Sequence, residues 1–344
     1  MKKNVSVLFF PLLIVGILIA LSGCYAPQIT SAEVLFPAKQ KNLSAQMDSV
    51  VLVNKSYLPL EQRNKTGVRY VGSYYQKSPQ YLDSIISDNA LYAFAHNLNI
   101  APKGNTVKDD TIIRYNIADY TFMQPLPPKK VSRICSSTGA GMIISLEAFH
   151  SFDSLYRYTE AGYYVSERKT ELLTVWRVYN RGESTAVYRS FLEDSIFFNA
   201  YGYSRSDADA GLINYKDALY EISYNSGKKF LEEISPHWQE IERIYFDYYS
   251  KDMQKANKYA AKSLWRKAAQ VWRPVAEQQK GAKTAYAAYN MALASEMAGQ
   301  LDLAMYWLKK ALSIRPDNYY FLQYQNQLQK RISRQETIDS QLAG

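Results

Sequence analysis

The sequence predicts an α+β protein, in which a mixed α/β sheet domain at residues 34–240 precedes an all-α helical tail at residues 241–335. Short runs rich in Val, Thr and Tyr alternate with helical stretches in the first half, as in a sheet with helices packed on it. After Ala208 the apolar residues recur at helical spacing instead. Two segments near the end also align at an offset of 36 residues, which indicates a helical repeat.

The N-terminus has the layout of a secretory signal. Lys2 and Lys3 precede a mostly apolar run over residues 5–20, and Leu21-Ser22-Gly23-Cys24 follows directly. This pattern predicts a signal peptide at residues 1–23. The alternative is an uncleaved transmembrane helix, but the run falls short of the roughly 20 residues that a span needs.

Leu21 to Cys24 resemble the bacterial lipobox, in which the Cys is joined to diacylglycerol before the signal is cleaved in front of it. The resemblance implies a lipid on Cys24, followed by a lipidated linker at residues 24–33. No Asp follows the Cys, and no acidic run resembling a surface-export tag is present. We therefore expect a lipid-anchored protein of the outer membrane, on its periplasmic face.

Composition narrows the function classes. A hydrophobic content of 47% suffices for a packed core. Without Lys2 and Lys3, 39 basic residues stand against 32 acidic ones, and they are spread along the chain as on an ordinary solvated surface. In an exported protein such a charge favours anionic lipid, lipopolysaccharide or cell-wall polymer over nucleic acid. Cys135 has no intramolecular partner if Cys24 carries lipid, which excludes a disulfide framework.

The sheet elements follow in order along the first domain. Val50 to Val53 is a continuous apolar run, typical of a strand that is covered on both faces. The pattern then predicts further elements: a helix over 79–98, strands over 111–123 and 140–149, and antiparallel strands over 156–167, 171–180 and 186–198. Asn180 to Glu183 is predicted to turn between the last two.

The helical region begins with a predicted helix over residues 208–234, which Pro236 ends. Ile244 to Phe246 form a short aromatic segment, and the rest reads as helical to about Arg334. Residues 336–344 are predicted to be a flexible C-terminus.

The repeat in the last hundred residues resembles the tetratricopeptide family. Gly299 stands where a left-handed helix cap favours Gly, and small or cap residues stand where paired helices approach. The residues assigned to repeat packing are Ala268, Gly299, Ala304, Ala311 and Pro316. Two units are fewer than the three that an independent solenoid needs, so residues 319–332 are expected to form a capping helix.

In that family the first helix of each unit lines a concave groove that binds a partner. The resemblance implies that six exposed residues form a partner-binding groove here: Met253, Asn257, Tyr286, Tyr289, Asn290 and Leu293. Asn257 and Asn290 stand where some members hold a C-terminal carboxylate. Met253 and Tyr324 replace the cations that accompany it, so a more apolar, tyrosine-lined groove is the better expectation; plain packing is the alternative.

No catalytic constellation is found in the sequence. His96, His150 and His237 lie far apart without metal-binding spacing, which argues for no metal and no cofactor. Ser226 to Lys229 match the SxxK motif of penicillin-binding proteins, but the matching Lys65-Thr66-Gly67 comes before it, the reverse of the family order. A Gly-rich segment at residues 136–141 lacks the Lys of a phosphate loop.

A triplet of Asp, Ser or Thr, and an aliphatic residue recurs along the chain. It resembles the O-glycosylation signal of Bacteroidota envelope proteins, and the alternative is that Asp-Ser and Asp-Thr simply start strands and helices. The possible acceptors are Ser49, Ser84, Thr111, Ser154 and Ser195.

Taken together, the lipobox, the repeats and the triplets resemble uncharacterised outer-membrane lipoproteins of Bacteroidota with C-terminal tetratricopeptide-like repeats. The sequence thus predicts a membrane-anchored, non-enzymatic adaptor or scaffold that binds another envelope protein. Two alternatives stay open. One is an enzyme acting on cell-wall or glycan material in the Tyr-rich sheet region, and the other is a contact regulator of a cell-wall synthase or secretion machine.

A substitution of Cys24 tests the predicted anchor. Cys24→Ala removes the thiol that would carry the lipid but leaves the rest of the chain unchanged. We expect loss of metabolic labelling with palmitate and release or mislocalisation of a folded protein. A product that stays membrane-bound and lipid-labelled would overturn the prediction.

Overall fold

The computed structural model describes most of the chain beyond the predicted signal. The described residues are 26–40, 43, 49–56, 67–70, 73–76, 82–99, 106–107, 113–114, 124–248, 250–278 and 281–343. The chain divides into two compact units: Leu35–His237 with Thr337–Gly344, called the sheet unit, and Met1–Val34 with Trp238–Glu336, called the helical unit. A mixed sheet followed by a helical region confirms the predicted α+β class.

The sheet unit contains an eight-stranded mixed sheet. Its strands are β2 (Ser49–Asn54), β3 (Gly67–Tyr70), β4 (Ser73–Gln76), β5 (Thr106–Val107), β6 (Ile113–Arg114), β7 (Met142–Glu160), β8 (Tyr163–Asn180) and β9 (Tyr188–Gly202). The long β7 is central: β2 and β3 pair with it in parallel, and β8 pairs with it antiparallel. β9 continues the sheet beyond β8, β4 pairs with β3, and β5 and β6 pair with β2.

Helices cover both faces of the sheet near the start of β7. They are α1 (Leu82–Asn99), α2 (Pro128–Thr138), α3 (Arg205–Gly211) and α4 (Tyr215–Ile234). On one face Phe94 of α1 and Phe230 of α4 pack around Trp176, whose ring lies 4.6 Å from that of Phe230. On the other face Val131 and Cys135 of α2 contact the opposite side of β2, whose residues alternate between the two cores.

The helical unit combines a two-stranded sheet with five helices. β1 (Ala26–Phe36) pairs with β10 (His237–Asp247), and the helices are α5 (Lys251–Ala260), α6 (Trp265–Ala276), α7 (Ala282–Met297), α8 (Leu301–Ile314) and α9 (Tyr319–Ala343). The ring of Phe36 stacks on that of His237 at 6.1 Å, so the end of β1 lies at the start of β10. The two strands are therefore antiparallel. Within the described residues no helix is long and apolar enough to cross a bilayer.

Several predicted element boundaries differ from the structure. The predicted strand over 156–167 is two strands, because the chain turns at Ala161 and Gly162, both with positive φ. The predicted helix over 208–234 is broken at residues 212–214, because the Asn214 side chain accepts a hydrogen bond from the Asp217 amide and starts a new helix. Helix α2 was not predicted.

The predicted ends also need correction. Residues 26–33 lie in β1 rather than in a linker. Residues 336–343 continue α9 rather than forming a flexible end, and the Gln341 side chain is buried where it accepts from the Ala38 amide at 2.9 Å and donates to the Ala38 carbonyl at 3.1 Å. Of the strand expected over 111–123, the structure describes β6 alone. The predicted signal and Cys24 lie outside the described residues.

The packing of α1 against α4 depends on Gly227. A Cβ atom at this position would overlap the carbonyl oxygen of Ala90 and press on the Ala93 side chain. Ser226 beside it is buried and shares a 2.7 Å hydrogen bond with the Thr174 hydroxyl. The SxxK match is therefore part of a helix contact. This contact explains the Gly at position 227, and no catalytic role is needed.

Gly227→Ala tests this contact. The new methyl group forces the two helices apart, so we expect the free energy of unfolding to fall by about 1–3 kcal/mol in denaturant titrations. Lys228→Ala on the exposed side of the same helix is the control and should change it by less than about 0.5 kcal/mol. Equal stability of the two variants would contradict the close approach.

Candidate interaction site

The predicted partner-binding groove is filled by the chain itself. All six residues assigned to it are buried: Met253, Asn257, Tyr286, Tyr289, Asn290 and Leu293. Residues of β10 lie between the helices that would have formed the groove. The prediction that these side chains are open to a partner is therefore wrong, because an internal strand already occupies the space.

The Asn290 side chain binds both the backbone amide and the backbone carbonyl of Phe246 in β10. The Phe246 amide donates to Asn290 Oδ1 at 2.8 Å, and Asn290 Nδ2 donates to the Phe246 carbonyl at 2.8 Å. Asn257 Nδ2 adds a longer bond of 3.4 Å to the same carbonyl. A carboxamide that pairs with an amide and a carbonyl at once satisfies an extended segment that has no strand partner on that side. The two asparagines thus bind peptide backbone, but it is the protein's own.

The side chain of Phe246 fills the interior of the helical unit. Its ring lies 4.8 Å from the ring of Tyr286 and 5.0 Å from that of Tyr289, and Tyr320 and Phe321 complete the enclosure. Such tilted and edge-to-face pairs are favourable beyond the area they bury. The sequence signal for this role was the aromatic segment at residues 244–246, which has no partner of its own in the repeat pattern.

A buried ion cluster fixes β10 at a second point. Arg243 makes two hydrogen bonds of 3.0 Å to the Glu296 carboxylate, which also accepts from Arg331 at 2.7 Å and from the Tyr324 hydroxyl at 2.8 Å. Burial acts to raise the pKa of Glu296, but the two guanidinium groups outweigh it and hold the pKa below its usual value. Tyr324 stands where some tetratricopeptide grooves have a cation, and here it is part of the buried core.

The residues assigned to repeat packing lie as follows. Ala268, Ala304 and Ala311 are fully buried between helices. Gly299 has a φ of +72° two residues after the end of α7, and the exposed Pro316 follows the end of α8.

The outer half of the sheet presents an uncovered face. Beyond the part packed by α2, the outward side chains of β7, β8 and β9 are exposed or half-buried in the described structure, apart from the buried Val165. Six large apolar or aromatic residues on this face are more than a third exposed: Phe152, Tyr156, Tyr158, Phe191, Phe197 and Tyr201. They lie on β7 and β9, and the outward residues of β8 between them include Glu167, Lys169 and Glu171. We call this surface the β7–β9 face.

Cations and carboxylates lie between the rings of the β7–β9 face. Arg189 stands 4.2 Å above the ring of Phe191, and Lys169 lies 5.8 Å from the centre of the Phe197 ring while bonding Glu171 at 2.6 Å. These contacts hold the exposed rings in place. The exposed Phe and Tyr rings and the Arg189 guanidinium are the side-chain types that are enriched at protein contact surfaces.

A shallow cavity of about 360 Å³ opens on this face. Its lining includes His150, Ser154, Glu171 and Glu193. Partial desolvation lowers the pKa of His150, so its imidazole is mainly neutral at pH 7. Behind the cavity Asp153 is fully buried, where it accepts from Thr170 at 2.8 Å and lies 3.3 Å from Arg168.

The other residues considered for chemistry are not brought together. Ser226 is in the core, Lys65 and Thr66 lie outside the described residues while Gly67 begins β3, and residues 136–141 span the end of α2 and the turn after it. Within the described part of the chain, no three potential metal ligands cluster. A buried Glu147 bonds Lys55, Arg177 and Tyr179, which accounts for those polar residues as a satisfied internal network.

The possible glycosylation sites differ in access. Ser195 is exposed on β9, Ser154 is half-buried in the cavity, and Ser49 is half-buried with its hydroxyl accepting from the Gly141 amide at 2.9 Å. Thr111 and the side chain of Ser84 lie outside the described residues.

Two family models match the chain. The model described as Domain of unknown function (DUF8603) matches residues 47–246, and the model described as Domain of unknown function (DUF6340) matches residues 254–330. No curated protein matches the chain.

Solved structures with local similarity have low sequence identity. The PelC dodecamer from Paraburkholderia phytofirmans is 13% identical over 60% of this chain and 99% of its own, with a TM-score of 0.24. Protein XCC0632 from Xanthomonas campestris is 11% identical over 54% and 86%, with a TM-score of 0.26. The hypothetical protein CT253 from Chlamydia trachomatis is 11% identical over 54% and 96%, with a TM-score of 0.24. These TM-scores are low, and the names carry no information about the role of this chain.

Asn290→Ala tests whether the asparagine holds the internal strand. The substitution removes both 2.8 Å hydrogen bonds to the Phe246 backbone, while the 3.4 Å bond from Asn257 to its carbonyl stays, at a cost of about 1–3 kcal/mol. We expect a matching fall in the free energy of unfolding, measured by denaturant titration. Asn326→Ala, at an exposed position of α9, is the matched control. An unchanged stability of Asn290→Ala would contradict the role assigned to its side chain.

Proposed function

The chain belongs to the family described as Domain of unknown function (DUF8603), and we propose that it acts as a lipid-anchored, non-enzymatic adaptor of the cell envelope. In this proposal Cys24 carries the lipid, and the β7–β9 face binds another envelope protein. The observation that supports it most is the set of exposed aromatic residues on that face. Large exposed apolar and aromatic residues gathered on one face of a sheet mark a candidate interaction site.

The geometry of β9 supports the same surface. Within the described residues β9 pairs with β8 alone and is 15 residues long, so it forms an edge of the sheet. Long edges with exposed apolar residues are uncommon, because they invite pairing with other chains. A partner that covers this edge and its outward rings would remove that risk. The filled groove of the helical unit does not offer an equivalent surface.

A double substitution on the face tests the adaptor proposal. Phe191→Ser with Phe197→Ser removes two exposed rings without touching the core. In intact cells, we expect a crosslinked adduct of defined mass with the wild-type chain, and its yield should fall at least about tenfold in the double variant, since one anchor residue contributes 2 kcal/mol or more.

The control removes two exposed apolar or aromatic side chains elsewhere. Leu303→Ser with Tyr306→Ser changes two exposed residues of α8 and should keep the adduct. Thermal unfolding of both variants verifies that each is folded. An adduct that persists in the folded β9 variant would overturn the assignment of this face.

The cavity on the same face favours one alternative, a glycan-processing enzyme. Glu171 and Glu193 provide two carboxyl groups around one opening, the pair that acid–base cleavage of a glycosidic bond uses, and His150 lies beside them. Turnover of purified peptidoglycan fragments, abolished by Glu171→Gln or Glu193→Gln, would replace the adaptor proposal with this one.

A further inference from the structure

The positive charge of the helical unit is concentrated in its first two helices. Residues 251–277 contain seven basic residues and two acidic ones. Both acidic residues are already paired, Asp252 with Lys283 at 3.5 Å and Glu277 with Arg273 at 2.8 Å. The six remaining cations make no ion pair in the part of the chain that the structure describes: Lys251, Lys255, Lys258, Lys262, Arg266 and Lys267. We call them the α5 cation face.

The spacing of these residues places the lysines on one side of α5. Lys251, Lys255 and Lys258 recur at intervals of four and three, and Lys262 follows in the turn after the helix. All four are exposed, whereas Met253 and Ala256 on the opposite side are buried. α5 is the first helix of the unit and packs on α6, so its lysine side faces solvent.

Helix stability does not explain this arrangement. Like charges at an interval of four repel each other on a helix surface. Arg266 and Lys267 stand in the first turn of α6, where the helix dipole disfavours cations and no acidic residue compensates. Lys258 lies in the last turn of α5, where the dipole favours a cation, but the other cations of the cluster gain no such stabilisation. An anionic partner would stabilise all of them.

The strand pairing places this face near the proposed anchor. β1 and β10 are antiparallel and of equal length, so Ala26 lies beside Asp247 at the far end from Phe36. One residue separates Ala26 from Cys24, and three separate Asp247 from Lys251. Chain lengths and strand spacing then limit the path from Cys24 to the start of α5 to roughly 25 Å.

We propose that the α5 cation face rests on the anionic lipid headgroups of the leaflet that holds the Cys24 lipid. The proposal depends on the lipid anchor of the proposed function. It adds an orientation, because a short anchor together with a charged helix face fixes which side of the helical unit meets the bilayer. Headgroup phosphates supply a dense layer of negative charge that matches the unpaired cations.

Binding to vesicles tests the proposal with three full-length chains that all carry Cys24→Ala. The first has no other change, the second has Lys251, Lys255, Lys258 and Lys262 replaced by Gln, and the third has Lys216, Lys228, Lys309 and Lys330 replaced by Gln. The third is the matched control, since it loses the same charge at exposed positions elsewhere. The apolar N-terminal segment is the same in all three chains.

The chains are compared on vesicles of phosphatidylcholine alone and of phosphatidylglycerol mixed with phosphatidylcholine. We expect the first and third to prefer the anionic vesicles at low salt, and the second to lose affinity by about fivefold for each lysine removed. Equal binding by the second and third chains would overturn the proposal. So would binding of soluble polyphosphate without preference for anionic vesicles.

Palmitate labelling of the unchanged chain is measured in parallel, so that the lipid anchor is tested separately from the α5 cation face. Labelling without a vesicle preference contradicts the cation face alone. A vesicle preference that depends on the four lysines, without labelling, supports the face and contradicts the anchor.

Discussion

The helical unit depends on one interaction, in which the Asn290 carboxamide pairs with both backbone groups of Phe246. Two helical repeats bury too little surface to stand alone. The strand supplies the missing interior by placing the Phe246 ring among four aromatic side chains. A segment without a neighbouring strand on that side could not be buried unless its amide and carbonyl were satisfied, and the asparagine does this.

Other contacts follow from the position of that strand. Arg243 lies on β10 and reaches the buried Glu296 carboxylate, so the strand is fixed by charge as well as by its backbone. The other edge of β10 pairs with β1. Strand β10 thus contacts α7 on one side and β1 on the other, and its residue Phe246 closes the groove in this structure.

The sequence predicts the class of the fold because alternation and helical periodicity follow directly from which side chains are buried. It could not predict the fate of the groove. The sequence around an Asn on the inner side of a repeat helix is the same whether that Asn binds a partner or the chain's own backbone. Here the outcome depends on β10, a strand that lies outside the repeat. The β7–β8 turn was missed because Ala161 takes a positive φ that its residue type does not indicate. The alternation of residue types along β9 indicates a strand with two different sides. Which of these sides is covered depends on helices elsewhere in the sequence.

The pairing of β1 with β10 also sets an order of events. The two strands stand about two hundred residues apart in sequence, as Phe36 and His237 show. The chain is made from its N-terminus, so β1 exists first and stays unpaired until residues 237–247 have been added. Pairing over such a distance is slow, because the entropy cost of closing a large loop comes before the contacts that repay it. The two-stranded sheet therefore cannot form until all eight strands of the mixed sheet have been made.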